Sequence, residues 1–153
     1  MRKTTIYVDT SVLGGVRDEE FSAASQALLR YAQEGRYHLL ISALTYREIS
    51  GAPGDVQQVL RELPLDTFTD IPVTEEAQAL AAAYVSANVL GPASYDDALH
   101  VAVATVAGAD MIVSWNFRHL VNVDRIRKFS AVNLMLGYPP MDIRSPKEFG
   151  GAD

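Results

Sequence analysis

Asp9, Glu48, Asp97 and Asn116 are widely separated in the chain, yet all four present hard oxygen donors. Carboxylates drawn together repel one another strongly, and a cation relieves the repulsion. Hard oxygen donors suit Mg2+ and Mn2+. Zinc suits the chain less well: it has no cysteine, its three histidines (His38, His100, His119) are scattered, and no His-Glu-x-x-His pattern occurs. One local pair departs from that scatter, since Asp97 and His100 fall on one face of a helix. Each residue also has an ordinary structural role. An Asp after a strand caps the next helix. A Glu within a helix, such as Glu48, is usually solvated. Asp97 follows Ser94 at capping-box spacing, with Asp96 beside it in a first turn that favours acids. Asn116 suits a turn.

The elements that carry these residues decide whether they converge. Residues 4–8 form a β-branched and aromatic run, a predicted strand ending in Asp9-Thr10-Ser11. Residues 18–34 predict a helix stopped by Gly35. A second strand is expected at 38–42, then a helix over 43–50 that carries Glu48. Gly51, Pro53 and Gly54 break it before another helix at 55–61 and a third strand at 68–71. Thr74 caps an Ala-rich helix to about residue 89, ended by Gly91-Pro92. Ser94 opens a second Ala/Val-rich helix to about residue 107, with Asp96 and Asp97 at its start. Residues 111–114 predict a buried strand that runs into Trp115 and Asn116. Short apolar strands alternating with helices imply an α/β fold on a mainly parallel sheet. Ligands of such sheets sit outside the carboxyl ends of the strands. An Asp, a Glu, an Asp and an Asn would then share one crevice.

Length and composition set the frame. A chain of 153 residues is expected to be one domain, with a core at about 4–120 and a tail at about 121–153. The tail is expected to be extended at Pro139-Pro140 and to pack on the domain or on a second subunit. A hydrophobic fraction of 48% excludes a disordered acidic tail. Without cysteine, a disulfide scaffold, a thiolate zinc site and a Cys nucleophile are excluded. No signal peptide or membrane span is expected, which makes cytoplasm the expected location. The net charge of −6 argues at first against nucleic acid. Its distribution argues otherwise. Residues 62–117 hold eight acids and no Lys or Arg, so the rest of the chain is net positive by two. Arg118, Arg125, Arg127 and Lys128 follow at once. Solvated faces would explain the segregation, and so would an acidic pocket with a basic rim.

Four segments together resemble a PIN domain, most closely the VapC-like toxin ribonucleases of VapBC-type toxin–antitoxin systems. They are Ile6-Tyr-Val-Asp-Thr-Ser-Val-Leu13, Thr45-Tyr-Arg-Glu-Ile49, Asp97-Ala-Leu-His-Val-Ala-Val-Ala104 and Ala109-Asp-Met-Ile-Val-Ser-Trp-Asn116. The resemblance spans about residues 4–120. It implies a three-layer PIN-like fold, a pocket binding Mg2+ or Mn2+, and cleavage of single-stranded RNA. Asp9, Glu48 and Asp97 fall on the family's first three acids, and Thr10 or Ser11 on the small hydroxyl residue beside the first. Asp96 is a neighbour that the family does not require. Many relatives have Asp where Asn116 stands, and a second acid where His119 stands. Asn ligates through its carbonyl oxygen without adding charge, which leaves three carboxylates in the pocket.

On this reading Asp9, Glu48 and Asp97 position one or two divalent ions, which lower the pKa of a water for in-line attack on phosphorus. Glu48 helps to deprotonate that water, Ser11 or Thr10 orients a ligand, and Asn116 binds the metal, its water or phosphate. The products would carry a 5′-phosphate and a 3′-hydroxyl. Arg118, Arg125, Arg127 and Lys128 are candidates for phosphate contacts, and Trp115 or Tyr95 for base stacking, with core packing the competing role of Trp115. The resemblance also implies a cognate antitoxin whose Arg enters the pocket, and a homodimer.

Two other classes compete. A PIN-like module that binds RNA or protein without cutting is favoured by Asn116. A phosphotransferase or hydrolase on another doubly wound sheet is the second. A haloacid-dehalogenase-like enzyme would need an Asp where Ser11 stands, and a receiver domain a late Lys, for which Lys128 and Lys147 are the candidates. Neither Gly-x-Gly-x-x-Gly nor a P-loop pattern follows the first strand, which argues against a dinucleotide site.

Overall fold

Tyr7 sits at the centre of the architecture, fully buried on strand β1 (Thr4–Val8). The computed structural model describes residues 2–149; residues 1 and 150–153 of the expected domain lie outside the described residues. β1 pairs with β2 (Tyr37–Ser42) on one side and β4 (Met111–Val113) on the other. The outer strands are β3 (Phe68–Ile71) and β5 (Asp142–Arg144), giving the order β3-β2-β1-β4-β5. All four pairings are parallel, so the sheet is wholly rather than mainly parallel among the described residues.

Side-chain alternation along these strands sorts the core into two layers. Tyr7, Leu40, Ile112 and Ile143 face one side, packed on α5 (Glu75–Ser86), α6 (Tyr95–Val106) and α7 (Val123–Met135). Ile6, Val8, Leu39, Ile41 and Val113 face the other, on α1 (Thr10–Gly15), α2 (Ser22–Gln33), α4 (Gly54–Arg61) and Ile49 of α3 (Ala43–Ser50). Helix α6 is buried from Ala98 through Thr105, which explains its run of Ala and Val: small side chains let it lie against both the sheet and α5. Complete burial of each larger aliphatic side chain contributes about 1.5–3 kcal/mol. Thr74 caps α5 as expected, its hydroxyl accepting the Ala77 N–H at 3.1 Å. Among the described residues no helix is long and apolar enough to cross a membrane.

Three expectations change. The helix predicted at 18–34 starts only at Ser22, because Asp18 Oδ1 accepts the N–H groups of Glu20 (2.8 Å) and Phe21 (3.3 Å) and holds a turn there. Residues before that turn form the short helix α1 instead, with Gly14 and Gly15 inside it. Ser94 makes no side-chain cap bond, so the capping box with Asp97 does not form. The tail is mostly regular. Asn122 caps α7 through Arg125 N–H at 3.1 Å, Gly137 reverses the chain at φ +89°, and residues beyond Pro140 return as β5. The tail thus packs on the domain itself, and the Ser114 N–H donates to the Arg144 carbonyl at 3.0 Å.

Candidate functional site

Register places the first functional pair. Val8 of β1 lies opposite Val113 of β4, so the residues that follow, Asp9 and Ser114, emerge side by side at the carboxyl ends. The Ser114 hydroxyl donates to Asp9 Oδ2 at 2.6 Å, and the Ser11 hydroxyl to Oδ1 at 2.6 Å. Ser11 Oγ in turn accepts the Trp115 N–H at 2.9 Å. Asp9 occupies the N-cap position of α1 but makes no side-chain cap bond, so the ordinary role of a post-strand Asp does not account for it. Asp9 is 5% exposed. Burial pushes the Asp9 carboxyl up from its usual value, and the neighbouring His100 and the hydroxyls of Ser11 and Ser114 offset part of the rise.

Glu48 reaches the same region from α3, whose first turn is capped by Ser42 Oγ accepting Thr45 N–H at 3.3 Å. Its Oε1 accepts from Thr10 Oγ1 at 2.5 Å and His100 Nε2 at 2.9 Å. Partial burial pushes the Glu48 carboxyl up, but the bonds from His100 and Thr10, with the nearby Arg47 guanidinium, outweigh it and hold the group below its usual value. Thr10 and Ser11 therefore divide the small-hydroxyl role, Thr10 serving Glu48 and Ser11 serving Asp9.

Asp97 and Asn116 join through His119. The Nδ1 of His119 donates to Asp97 Oδ2 at 2.8 Å, the His119 N–H to Asn116 Oδ1 at 2.9 Å, and the Asn116 N–H to Ser114 Oγ at 2.9 Å. A continuous path thus runs from Asp97 through His119, Asn116 and Ser114 to Asp9. Asn116 does act as a turn residue, and its side-chain carbonyl is occupied by that turn. Asp96 points elsewhere, pairing with Arg47 at 3.3 Å on the exposed surface.

The basic residues separate. Arg118 is exposed in the loop after Asn116, and Arg127 and Lys128 are exposed on α7, Lys128 pairing with Asp124 at 3.1 Å. Arg125 is structural, its guanidinium donating to the Val89 carbonyl. Trp115 is buried, stacked on Phe21 at 4.2 Å with Nε1 donating to Ser25 Oγ at 2.7 Å, so core packing is its role. Tyr95 donates to the Gln78 carbonyl at 3.5 Å. Phe117, which the sequence reading passed over, is the exposed aromatic here, edge-on to Trp115 at 6.0 Å and with Lys147 Nζ 5.8 Å from its ring centre. A cleft of about 480 Å³ is lined by Ser11, Gly14, Gly15, Asp18, Phe21, Trp115 and Asn116, and Asp9, Glu48 and Asp97 are not among its lining residues.

Among the described residues no three or more His, Asp or Glu side chains close into a cage for a metal ion. A hard ion of the Mg2+ type needs no such cage, since it keeps several waters and takes one or two carboxylates. Asp9 is the observation that fits: a buried carboxylate held by two hydroxyls still lacks a full counter-charge, and buried charges are paired or coordinate metals. Sequence reasoning missed Ser114 and Tyr7. Strand adjacency would have found Ser114, which follows the strand that neighbours Asp9. Tyr7 carries no such signal.

Neither a protein-family model nor a curated protein sequence matches the chain. Solved structures do. VapBC2 from Rickettsia felis, in a crystal structure bound to a DNA fragment from its promoter, includes a chain 14% identical, with a TM-score of 0.58, covering 93% of this chain and 98% of its own. FitAcB from Neisseria gonorrhoeae is similar at 16% identity and TM-score 0.59, covering 93% and 98%. VapC20 from Mycobacterium tuberculosis, described as a sarcin-ricin loop cleaving toxin, is similar at 16% identity and TM-score 0.53, covering 70% and 86%. These likenesses establish the fold as the PIN-domain, VapC-like α/β fold. Coverage of 93% carries the likeness past residue 120, into the segment that folds as α7 and β5.

Proposed function

We propose that the protein is an Mg2+- or Mn2+-dependent endoribonuclease acting on single-stranded RNA, the toxin of a type II toxin–antitoxin pair. One observation carries the proposal: on a VapC-like fold, hydrogen bonds tie Glu48 to Thr10 and Asp9 to Ser114, and link Asp97 through His119 and Asn116 to the same Ser114. A bound divalent ion supplies Lewis acidity toward phosphate and water. The chain's own residues do the rest. Asp9, Glu48 and Asp97 would offer carboxylate oxygens to the ion, Ser11 and Ser114 fix the Asp9 rotamer, and Thr10 fixes Glu48. Glu48, held ionised, accepts a proton from the attacking water. Arg118 and Arg127 meet the RNA backbone at the pocket's rim.

Incubating a mixed RNA pool with the protein and Mn2+ tests the reading. Cleavage by wild type and its loss in Asp9→Asn are expected; equal cleavage by both overturns the role of Asp9. An antitoxin partner fits carboxylates at the strand ends, with which an Arg side chain would form charge-assisted hydrogen bonds. The likeness to VapBC2 and FitAcB supports that partner, and the likeness to VapC20 supports RNA as substrate. Co-purification with the product of the adjacent reading frame checks the first. A homodimer belongs to the same proposal, and sedimentation checks it.

Asn116 favours a second reading, a PIN-like module that binds RNA or protein without cutting. Its side chain is uncharged and its carbonyl is held by His119 N–H. A wild-type protein that cuts no RNA, and whose melting temperature Mn2+ does not move, would belong to this second class.

A further inference from the structure

We infer that Tyr7 and His100 are positioning residues for Glu48, a buried hydrogen-bonded brace that sets which oxygen of that carboxylate faces the pocket. The inference rests on the nuclease reading above, in which Glu48 is one of the working acids.

His100 is 3% exposed and lies one helical turn beyond Asp97 on α6. A histidine serving only the core would bond backbone or stand among apolar groups. Both ring nitrogens of His100 instead meet side chains. Nε2 is 2.9 Å from Glu48 Oε1, and Nδ1 is 2.6 Å from the Tyr7 hydroxyl. That hydroxyl is also 2.7 Å from Ser42 Oγ, which accepts the Thr45 N–H at the start of the helix bearing Glu48. The brace therefore closes a ring through β1, the end of β2, α3 and α6.

Hydrogen-bond polarity gives the ring one consistent direction. Ser42 Oγ accepts from Thr45, so its own hydrogen is free for Tyr7. The Tyr7 hydroxyl then donates to His100 Nδ1. An ionised Glu48 can only accept, so Nε2 carries the ring's hydrogen and donates to Oε1. Reversing the chain would leave the buried Ser42 hydroxyl with nothing to donate to among its bonded neighbours. The Tyr7 and His100 rings meet edge to face, centroids 5.7 Å apart at 65°, which locks the imidazole plane. Thr10 delivers its hydrogen to Oε1 as well. Both donors thus converge on one oxygen and leave Oε2 for the pocket.

Two measurements test this. Long-range 1H–15N spectra of the labelled protein without added metal report the His100 tautomer, and 13C spectra report the Glu48 carboxyl. The expected result is hydrogen on Nε2, with Tyr7→Phe shifting both the His100 and Glu48 resonances. Hydrogen on Nδ1 in the wild type, or a Glu48 signal unmoved by Tyr7→Phe, would overturn the brace. Steady-state cleavage with Mn2+ gives the second readout. His100→Leu should lower kcat roughly 10–100-fold with KM for the RNA unchanged, the scale for losing an outer partner of a metal-binding acid. His100→Gln, whose amide can still donate to Oε1, should recover most of the loss at an equal melting temperature. An unchanged kcat in a folded His100→Leu protein would refute the positioning role. If the wild type cuts no RNA, the nuclease reading fails, and the spectra alone then decide whether the brace holds Glu48.

Discussion

Arg2 and Asp110 form a bidentate ion pair, Nη1 to Oδ2 at 2.9 Å and Nη2 to Oδ1 at 3.0 Å, at the amino-terminal edges of β1 and β4. Asp110 also accepts the Thr5 N–H at 2.8 Å, and its own N–H donates to the Thr5 hydroxyl at 3.1 Å. This clasp registers the two strands whose opposite ends carry Asp9 and Ser114. The Arg2 guanidinium and the Thr5 N–H hold the Asp110 carboxyl well below 3.8, at about 2. A carboxyl depressed on folding stabilises above its unfolded value and loses that contribution as pH falls from about 4 through about 2. Asp110→Ala should therefore cost about 1–3 kcal/mol at neutral pH, the scale of hydrogen bonds to a charged group. Urea unfolding at pH 7 and pH 2.5 checks it; a cost that did not shrink at the lower pH would refute the assignment.

Asp9 obeys the opposite sign. Burial raises its carboxyl, so stability falls as pH rises from the unfolded value towards the folded one, and the ionised form opposes folding fully above it. Asp9→Asn should melt higher than wild type without divalent ions, each kcal/mol appearing as roughly 2–4 °C. RNA cleavage should fall on the order of 10²–10³-fold, the scale of losing one preorganised electrostatic contact. Calorimetry paired with cleavage assays checks both halves, and a variant that melts lower would show that the Asp9 charge is already compensated.

Gly15 has no room for a side chain. A Cβ there would stand 2.6 Å from Ser25 Oγ and 2.7 Å from Trp115 Nε1. Gly15→Ala should destabilise by about 1–3 kcal/mol, as overpacking does. Because the chain has one tryptophan, its fluorescence reports the same displacement directly. An unshifted emission maximum with unchanged stability would contradict the packing.

Arg118→Glu should weaken binding of single-stranded RNA more at low salt than at high salt, lowering the slope of log affinity against log salt by about 0.7 for each lost phosphate contact. Arg125→Glu should chiefly destabilise, since Arg125 ties α7 to the Val89 carbonyl. Filter binding across a salt series separates the two; equal salt slopes for wild type and Arg118→Glu would remove Arg118 from the interface.

How much of this was legible follows from particular residues. The strands read at 4–8, 38–42 and 68–71 lie within one residue of those that form, and the carboxyl-end rule then leads to Asp9. Helix α1 was hidden because two of its six residues are glycines, which are poor helix formers, while the reason for Gly15 is a tryptophan a hundred residues away. β5 was hidden because Asp142-Ile143-Arg144 buries only Ile143, and a three-residue edge strand leaves almost no pattern. At the site, Asp9, Glu48 and Asp97 were visible as types and spacings, and the resemblance to VapC-like proteins assigned them together. The partners that orient them were not. His100 lies 93 residues from Tyr7 and 52 from Glu48, and no local signal announces bonds of that range.

The bond from Ser114 N–H to the Arg144 carbonyl has a bearing on synthesis. Asp9 leaves the ribosome 105 residues before Ser114, and the strand that clamps Ser114 follows later still. A nascent chain therefore carries its acids long before it can arrange them. The order of translation delays the completed centre until β5 has been made.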